Sequence, residues 1–225
     1  MIAEPYIGDM LIMVRADPPL AKALAVVALH LHQAVERLGL YKPDISQQSC
    51  VLCSLAVRDF LHRVGFPQAR VAPVVAVMRA SRDGKELHSC GIGVPNAYQH
   101  TRTRWNGHMC VLVDNVLVDT TLYQAKRPQW PGLPGMMAVP LGFEDGSAKI
   151  NITDARPGVP GGRVYGLDLL AAAVTDGDEG DAGYKFTIIW LDNPTNRWWR
   201  NGPDGRRDVR KPIAAALTAI HNKWP

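Results

Sequence analysis

Residues 46–65 read SQQSCVLCSLAVRDFLHRVG, and they predict an amphipathic helix that begins beside a cysteine. Apolar residues recur at steps of four along one face, at Leu52, Ala56, Phe60 and Val64. Ser49 stands directly before Cys50 and is a candidate N-cap. The unpaired N–H groups and the positive end of the helix dipole favour a thiolate at this position. Cys50 is therefore a candidate nucleophile.

A second stretch, residues 107–121, predicts two strands joined by a tight turn at Asp114-Asn115. If the turn has two residues, Val113 pairs with Val116. Strand alternation then places five side chains on one face of the hairpin, namely His108, Cys110, Leu112, Leu117 and Asp119. Asp119 lies diagonal to His108 and within its reach. A histidine that is oriented by a carboxylate and faces a thiol is the arrangement needed for acyl transfer.

Four short motifs follow one another along this part of the chain. They are a Cys at a helix start, the Gly-Phe-Pro-x-x-Arg turn of residues 65–70, Gly107-His108, and Val-Asp-x-Thr at residues 118–121. In this order they resemble the transglutaminase-like branch of the papain-like cysteine enzymes, and they are also similar to the arylamine N-acetyltransferases. The resemblance covers roughly residues 46–124. It implies an α+β fold in which the nucleophile helix packs on an antiparallel β-sheet.

The same resemblance implies three site roles. Cys50 is the nucleophile, His108 the base and Asp119 the residue that orients the histidine. The expected activity is acyl transfer from an amide, ester or thioester, by a hydrolase or a transferase, with a peptide, amide or thioester substrate. Hydrolysis, transglutamination, deamidation and acetyl transfer all stay open, and no cofactor is expected.

Cys53 is the alternative nucleophile. Residues 53–57, with Gly65 further on, are similar to the bacterial cell-wall endopeptidases of the same superfamily. The two thiols are one helical turn apart, and we expect them on similar faces. Cys50 is preferred because the apolar run of residues 71–78 fits the strand that the transglutaminase-like branch has there.

Two functions of other classes are also considered. The first is a zinc site, because Cys50-x-x-Cys53, His88-x-Cys90 and His108-x-Cys110 have ligand spacings. The helical setting of the first pair argues against it, and no bound metal is predicted. The second is a catalytically inactive binding module with the same fold, which uses the aromatic and basic residues 198–207 to contact a partner.

Length and composition place the chain among globular proteins. Its 225 residues predict a single catalytic domain, residues 1–225, with a core at about residues 17–125 and a Pro/Gly-rich extension at 126–225. There is no run of about 18 apolar residues and no signal peptide at the N-terminus, so we expect no membrane partner. The four cysteines are then expected as reduced thiols in the cytoplasm. Scattered basic residues argue against a nucleic-acid partner, and no pattern reveals the oligomeric state.

The rest of the chain gives coarser predictions. Periodicity predicts a helix over residues 18–38, and a closing helix over 212–220. Strands are predicted at residues 71–78 and 184–191, and edge strands at 136–141 and 149–152. Residues 167–174 fit a helix or a strand. Residues 79–105 are polar and broken by glycine and proline, so we expect a loop that overhangs the site.

Overall fold

A computed structural model describes residues 6–12, 18–38, 49–82, 85–93, 107–125, 134–140, 164–170, 185–192 and 207–224. These residues form three α-helices, nine β-strands and one short 3-10 helix. The helices are α1 (Pro18–Arg37), α2 (Cys50–Arg63) and α3 (Arg207–Lys223). The strands are β1 (Tyr6–Ile7), β2 (Met10–Ile12), β3 (Arg70–Arg82), β4 (Lys85–Ile92), β5 (His108–Val113), β6 (Val116–Asp119), β7 (Met136–Pro140), β8 (Val164–Leu170) and β9 (Lys185–Asp192). The 3-10 helix spans Leu122–Ala125.

All nine strands belong to one sheet, with the order β1-β2-β7-β6-β5-β3-β9-β8 and with β4 paired to β3. Every pair is antiparallel except β2 with β7. The long strand β3 is the centre of this arrangement. One edge of β3 pairs first with β5 and then with β4, and its other edge pairs with β9. The beginning of β5 and the end of β4 therefore meet on the same edge of β3.

The sheet is curled, and a single contact shows it. The indole nitrogen of Trp190 on β9 lies 2.9 Å from a carboxylate oxygen of Asp119 on β6. In a flat sheet these strands would be about 14 Å apart, because β5 and β3 lie between them and neighbouring strands are spaced by about 4.8 Å. The side chains that line the inside of the curl form a buried apolar cluster that includes Val74, Leu112 and Leu117.

The helices pack on the outer face of the curled sheet. Residues of β5 and β6 that alternate with the inner ones, such as Val111 and Val118, join a second cluster with buried side chains of α1, α2 and α3. Each helix contributes the apolar face that its periodicity predicted. Members of those faces include Leu24 of α1, Phe60 of α2 and Leu217 of α3, which are all fully buried.

Three predictions for individual elements were wrong. Residues 79–82 and 85–92 form strands rather than a loop, because β9 and β4 supply the pairing with β3 that the polar sequence did not suggest. The rest of the stretch in which an overhanging loop was predicted, residues 94–105, lies outside the described residues. The strand at 136–140 is not an edge strand, since it lies between β2 and β6. Helix α3 begins at Arg207, five residues before the predicted start, and contains Pro212.

The α1 helix and the strands at 70–82 and 185–192 confirm the other predictions, and residues 164–170 are a strand. The predicted strand at 149–152 lies outside the described residues. In coarse terms the fold is a mixed α/β fold of the expected α+β kind, with a helix packed on a mainly antiparallel sheet. Within the described segments, no helix is long and apolar enough to cross a membrane.

Candidate active site

Cys50 is the first residue of α2, as the sequence predicted. Ser49 is the N-cap residue, as predicted, but its side chain makes no capping hydrogen bond. The Cys50 side chain packs with Val51, Leu55 and Met109 and is 6% exposed. Its sulfur lies 3.7 Å from the carbonyl oxygen of Gly107, to which the thiol donates. The start of α2 is therefore held against the residue that precedes His108.

The two cysteines of α2 do not share surroundings. Cys53 is fully buried in the cluster between the helices and the outer face of the sheet, whereas Cys50 belongs to a separate small cluster at the start of β5. The expectation of similar faces was wrong, because α2 is buried on several sides along its first two turns. Cys50 is the thiol of α2 that lies within hydrogen-bonding reach of His108.

Ser54 fixes α2 against the same strand. Its hydroxyl, one turn after Cys50, donates a 2.8 Å hydrogen bond to the carbonyl oxygen of Met109. Both residues are fully buried. Because this hydrogen bond and the Cys50–Gly107 contact fall on the two residues that flank His108, they set the position of the helix start along the strand.

The hairpin forms with the predicted register. Val113 pairs with Val116, and the turn residue Asp114 has a left-handed φ of 47°. His108 Nε2 lies 2.8 Å from Asp119 Oδ2, so the diagonal contact predicted from the pairing is present. Both side chains are 0% exposed. The hairpin alone therefore brings the imidazole and the carboxylate together.

Asp119 has two further donors. The indole N–H of Trp190 donates to Oδ2 at 2.9 Å, and the backbone N–H of Thr121 donates to Oδ1 at 3.1 Å. Sequence reasoning missed Trp190, because its contact depends on the curl of the sheet and its position on β9 signals only a buried strand. Both carboxylate oxygens are thus paired, as a buried charge requires.

The two partners stabilise each other's charged forms. Burial alone would lower the pKa of His108, but the charge of Asp119 outweighs it and raises this pKa well above 6.5. Burial likewise opposes ionisation of Asp119, but the His108 charge lowers the pKa of that carboxyl below 3.8. Cys110 and Cys50 lie close enough for hydrogen bonding to raise the His108 pKa further. The shifts therefore keep Asp119 a carboxylate and make His108 a stronger proton acceptor than a free imidazole.

The other ring nitrogen of His108 is available. Nδ1 is buried and has no hydrogen-bond partner among the residues that the structure describes. Because Nε2 is taken by Asp119, Nδ1 is the atom of the ring that can exchange a proton with a neighbouring group.

Cys110 is a third polar group in this cluster. Its sulfur and ligand atoms of His108 and Asp119 all lie within 4.8 Å of one another, so these three residues could hold a metal ion. Burial, followed by the Asp119 charge, raises the pKa of the Cys110 thiol. A thiol that stays protonated is a poor nucleophile, so Cys110 does not compete with Cys50 for that role.

Gly93 at the end of β4 allows the close packing of this site. Its φ of +74° lies in the left-handed region. A Cβ atom there would come within 2.6 Å of the backbone nitrogen of His108 and 2.9 Å of the carbonyl carbon of Gly107. Only glycine permits this contact without displacing the start of β5.

Helix α1 contacts the site through His32, next to the Asp119 end of the hairpin. His32 Nε2 donates to the carbonyl oxygen of Thr120, 3.1 Å away, and Thr120 directly follows Asp119. Burial lowers the pKa of His32 to about 4, so this ring is neutral near neutral pH. His32 thus links α1 to the residue that follows Asp119.

Comparisons with protein-family models, with curated proteins and with solved structures found no match for this chain. The resemblance to transglutaminase-like enzymes therefore stays a prediction from the motifs. The aromatic and basic stretch at 198–206 lies outside the described residues, and of the zinc spacings only the His108-x-Cys110 pair contributes to the cluster found here.

The ion pair predicts a characteristic pH dependence of stability. The lowered pKa of Asp119 contributes stability that is present above about pH 4 and is lost as the pH falls through the folded value. The raised pKa of His108 contributes stability that is present below about pH 6.5 and is lost as the pH rises through the folded value. We expect the difference in unfolding free energy between wild type and Asp119→Asn, as measured by urea denaturation, to be largest between about pH 4 and about pH 6.5.

Asp59→Asn is the matched control for this measurement. Asp59 pairs with Arg58 and Arg210, which lower its pKa although burial opposes this, and arginine does not deprotonate at accessible pH. Its contribution should fall at acid pH only. A difference for Asp119→Asn that stays constant up to pH 10 would contradict the charged pair.

The Trp190→Phe substitution tests the indole donor. The change keeps an aromatic ring in the core but removes a hydrogen bond to a charged group, so we expect a loss of about 1.5–3 kcal/mol in unfolding free energy. Urea denaturation measures this loss. The control is Trp224→Phe, because Trp224 is only half-buried and contacts His30 instead. Equal losses in the two variants would show that the hydrogen bond to Asp119 contributes nothing.

Proposed function

We propose that the protein is a cysteine-dependent acyl-transfer enzyme, with Cys50 as nucleophile, His108 as proton acceptor and donor, and Asp119 as the residue that orients the imidazole. The observation that carries the proposal is the position of the Cys50 thiol beside a buried His108 whose Nε2 is bonded to Asp119 and whose Nδ1 is unpaired. A thiol, an imidazole and a carboxylate in this order are the parts of a nucleophilic triad.

The proposed reaction has two steps. Cys50 transfers its proton to His108 Nδ1, and the thiolate attacks the carbonyl carbon of an amide, ester or thioester. The bond to the leaving group breaks as His108 returns the proton to it, which leaves an acyl thioester on Cys50. Water or an amine then attacks the thioester, gives its proton to His108 and releases the acyl group, and the proton returns to the Cys50 sulfur.

The beginning of α2 supplies candidate donors for the oxyanion. The first hydrogen bond of the helix runs from the Cys53 N–H to the Ser49 carbonyl oxygen, at 3.0 Å. The N–H groups of Cys50 and Val51 therefore have no acceptor within the helix. We assign to them the stabilisation of the negative charge that develops on the substrate oxygen.

The orientation of the imidazole supports the same proposal. Asp119 cannot rotate away from His108, because Trp190 and Thr121 hold both of its oxygens. A fixed carboxylate keeps Nε2 protonated and leaves Nδ1 as the exchanging atom. In this proposal the chain is a transglutaminase-like or papain-like enzyme, and its substrate carries an acyl group on nitrogen, oxygen or sulfur.

Acylation by p-nitrophenyl acetate tests the assignment. The wild-type protein should gain one acetyl group on Cys50, as measured by mass spectrometry of the intact protein and its peptides. Cys50→Ala should gain none. His108→Ala should be acetylated about 100-fold more slowly or worse, because general-base catalysis typically contributes at least that factor.

The control variants are Cys53→Ala and Cys90→Ala. Cys53 is buried in the core and Cys90 lies on β4, so neither substitution should prevent acetylation of Cys50. Acetylation that persists in Cys50→Ala and disappears in Cys53→Ala would transfer the nucleophile role to Cys53. No acetylation of any thiol would contradict the enzyme proposal and favour a binding module.

One observation favours a second candidate function, a metal centre. His108, Cys110 and Asp119 bring a nitrogen, a sulfur and an oxygen within 4.8 Å of one another, which is a ligand set suited to zinc. Cys110→Ala distinguishes the two functions. Under the triad proposal this variant still acetylates Cys50, whereas under the metal proposal it loses the zinc that elemental analysis detects in the wild-type protein.

A further inference from the structure

A cleft with basic walls lies where α2 packs against α3, and we call it the basic cleft. Its lining residues are Arg58, Asp59, His62, Arg63, Arg210 and Lys211. Its volume is about 380 Å³, within the range of small-molecule sites. Four of the six side chains are arginine or lysine and one is a carboxylate, so the lining has an excess of positive charge.

Two of the basic side chains are held in position by ion pairs with Asp59. Arg58 and Arg210, from the two helices, both donate to Asp59, the first to Oδ1 and the second to Oδ2 at 2.8 Å. Asp59 therefore links α2 to α3 and fixes the position of the two guanidinium groups. The guanidinium of Arg58 has five N–H donors in a planar fork, and two of its nitrogens, Nε and Nη2, bond to Asp59.

The remaining charge is at the rim of the basic cleft. Arg63 and Lys211 are exposed, and neither forms an ion pair with any residue in the described segments. They stand on different helices, so a ligand that both contact must lie across the cleft. Lys211 is also within the first two turns of α3, where the helix dipole is positive.

We propose that the basic cleft binds a small molecule through a diphosphate group. Its volume suits a compact ligand, and its lining balances the charge that a diphosphate carries at neutral pH. Arg63 and Lys211 contact the phosphate oxygens, and Asp59 holds Arg58 and Arg210 in place at the floor, where they add positive charge. Arg58 and Arg210 bond to one carboxylate, and the basic residues line one compact cleft instead of following a strip, which fits a small ligand better than a nucleic-acid strand.

This site is separate from the thiol chemistry. Arg58 lies about 12 Å and Arg63 about 20 Å beyond Cys50 along the axis of α2, since a helix rises by about 1.5 Å per residue. Asp59, at about half a turn around the axis from Cys50, emerges from the opposite side of the helix. The inference therefore stands whether or not Cys50 is a nucleophile.

Inorganic pyrophosphate is the probe that tests the proposal. Isothermal titration calorimetry at low ionic strength should show one site on the wild-type chain, and added salt should weaken it. The double variant Arg63→Gln/Lys211→Gln should bind pyrophosphate about ten-fold more weakly or worse, because two charged hydrogen-bond donors are lost. Both substitutions are on exposed side chains, and circular dichroism checks that the fold is kept.

The matched control is Arg37→Gln/Lys85→Gln. These residues are also exposed and their loss changes the net charge equally, but they lie on α1 and β4 away from the basic cleft. The control should bind like the wild type. Equal weakening in both double variants would mean a general charge effect and would overturn the proposal, as would the absence of binding to the wild type. Binding of single-stranded RNA that is lost in the cleft variant, without pyrophosphate binding, would overturn it in favour of a nucleic-acid site.

Discussion

The buried ion pair between His108 and Asp119 is the interaction on which the arrangement of this protein depends. Both groups are completely removed from solvent, and a buried carboxylate is stable only when its oxygens are paired. The carboxylate meets this requirement with an imidazole, an indole N–H and a backbone N–H. One of those donors comes from β9, so the sheet must curl to deliver it.

The curl separates the protein into two apolar regions. The inner face of the sheet surrounds the ion pair and Cys110, and the outer face packs against the three helices. Cys50 is the first residue of α2 and belongs to neither of these regions, but to a separate small cluster that includes Met109. The thiol and the imidazole therefore approach each other around the beginning of β5, where Gly93 lets β4 pack against the backbone of Gly107 and His108.

Local patterns predicted the parts of the site that local contacts determine. The hairpin register of residues 108–119 follows from a two-residue turn and strand alternation, and those two facts place His108 against Asp119 without further information. The start of α2 at Cys50 follows in the same way from periodicity. These features needed no knowledge of the rest of the sheet.

The features that were missed depend on distant parts of the chain. Trp190 is a donor to Asp119 because β9 crosses the curl, and a sequence pattern for a buried strand contains no information on curvature. Strand β4 is polar and forms through pairing with β3. Helix α3 extends back to Arg207, and its first turns include Arg210, which bonds to Asp59 of α2. Burial of Cys53 likewise follows from the packing of α1 on α2, not from its position in the helix.

Site-resolved alkylation tests the central claim most directly. Wild type and Asp119→Asn are treated with iodoacetamide at pH 6, and the rates at Cys50 and Cys53 are followed by mass spectrometry of peptides. The claim predicts that Cys50 reacts much faster than Cys53 in the wild type, because His108 lies beside Cys50 and can accept its proton, and that this advantage is lost in Asp119→Asn. Slow alkylation of Cys50 that is unchanged by Asp119→Asn would contradict it.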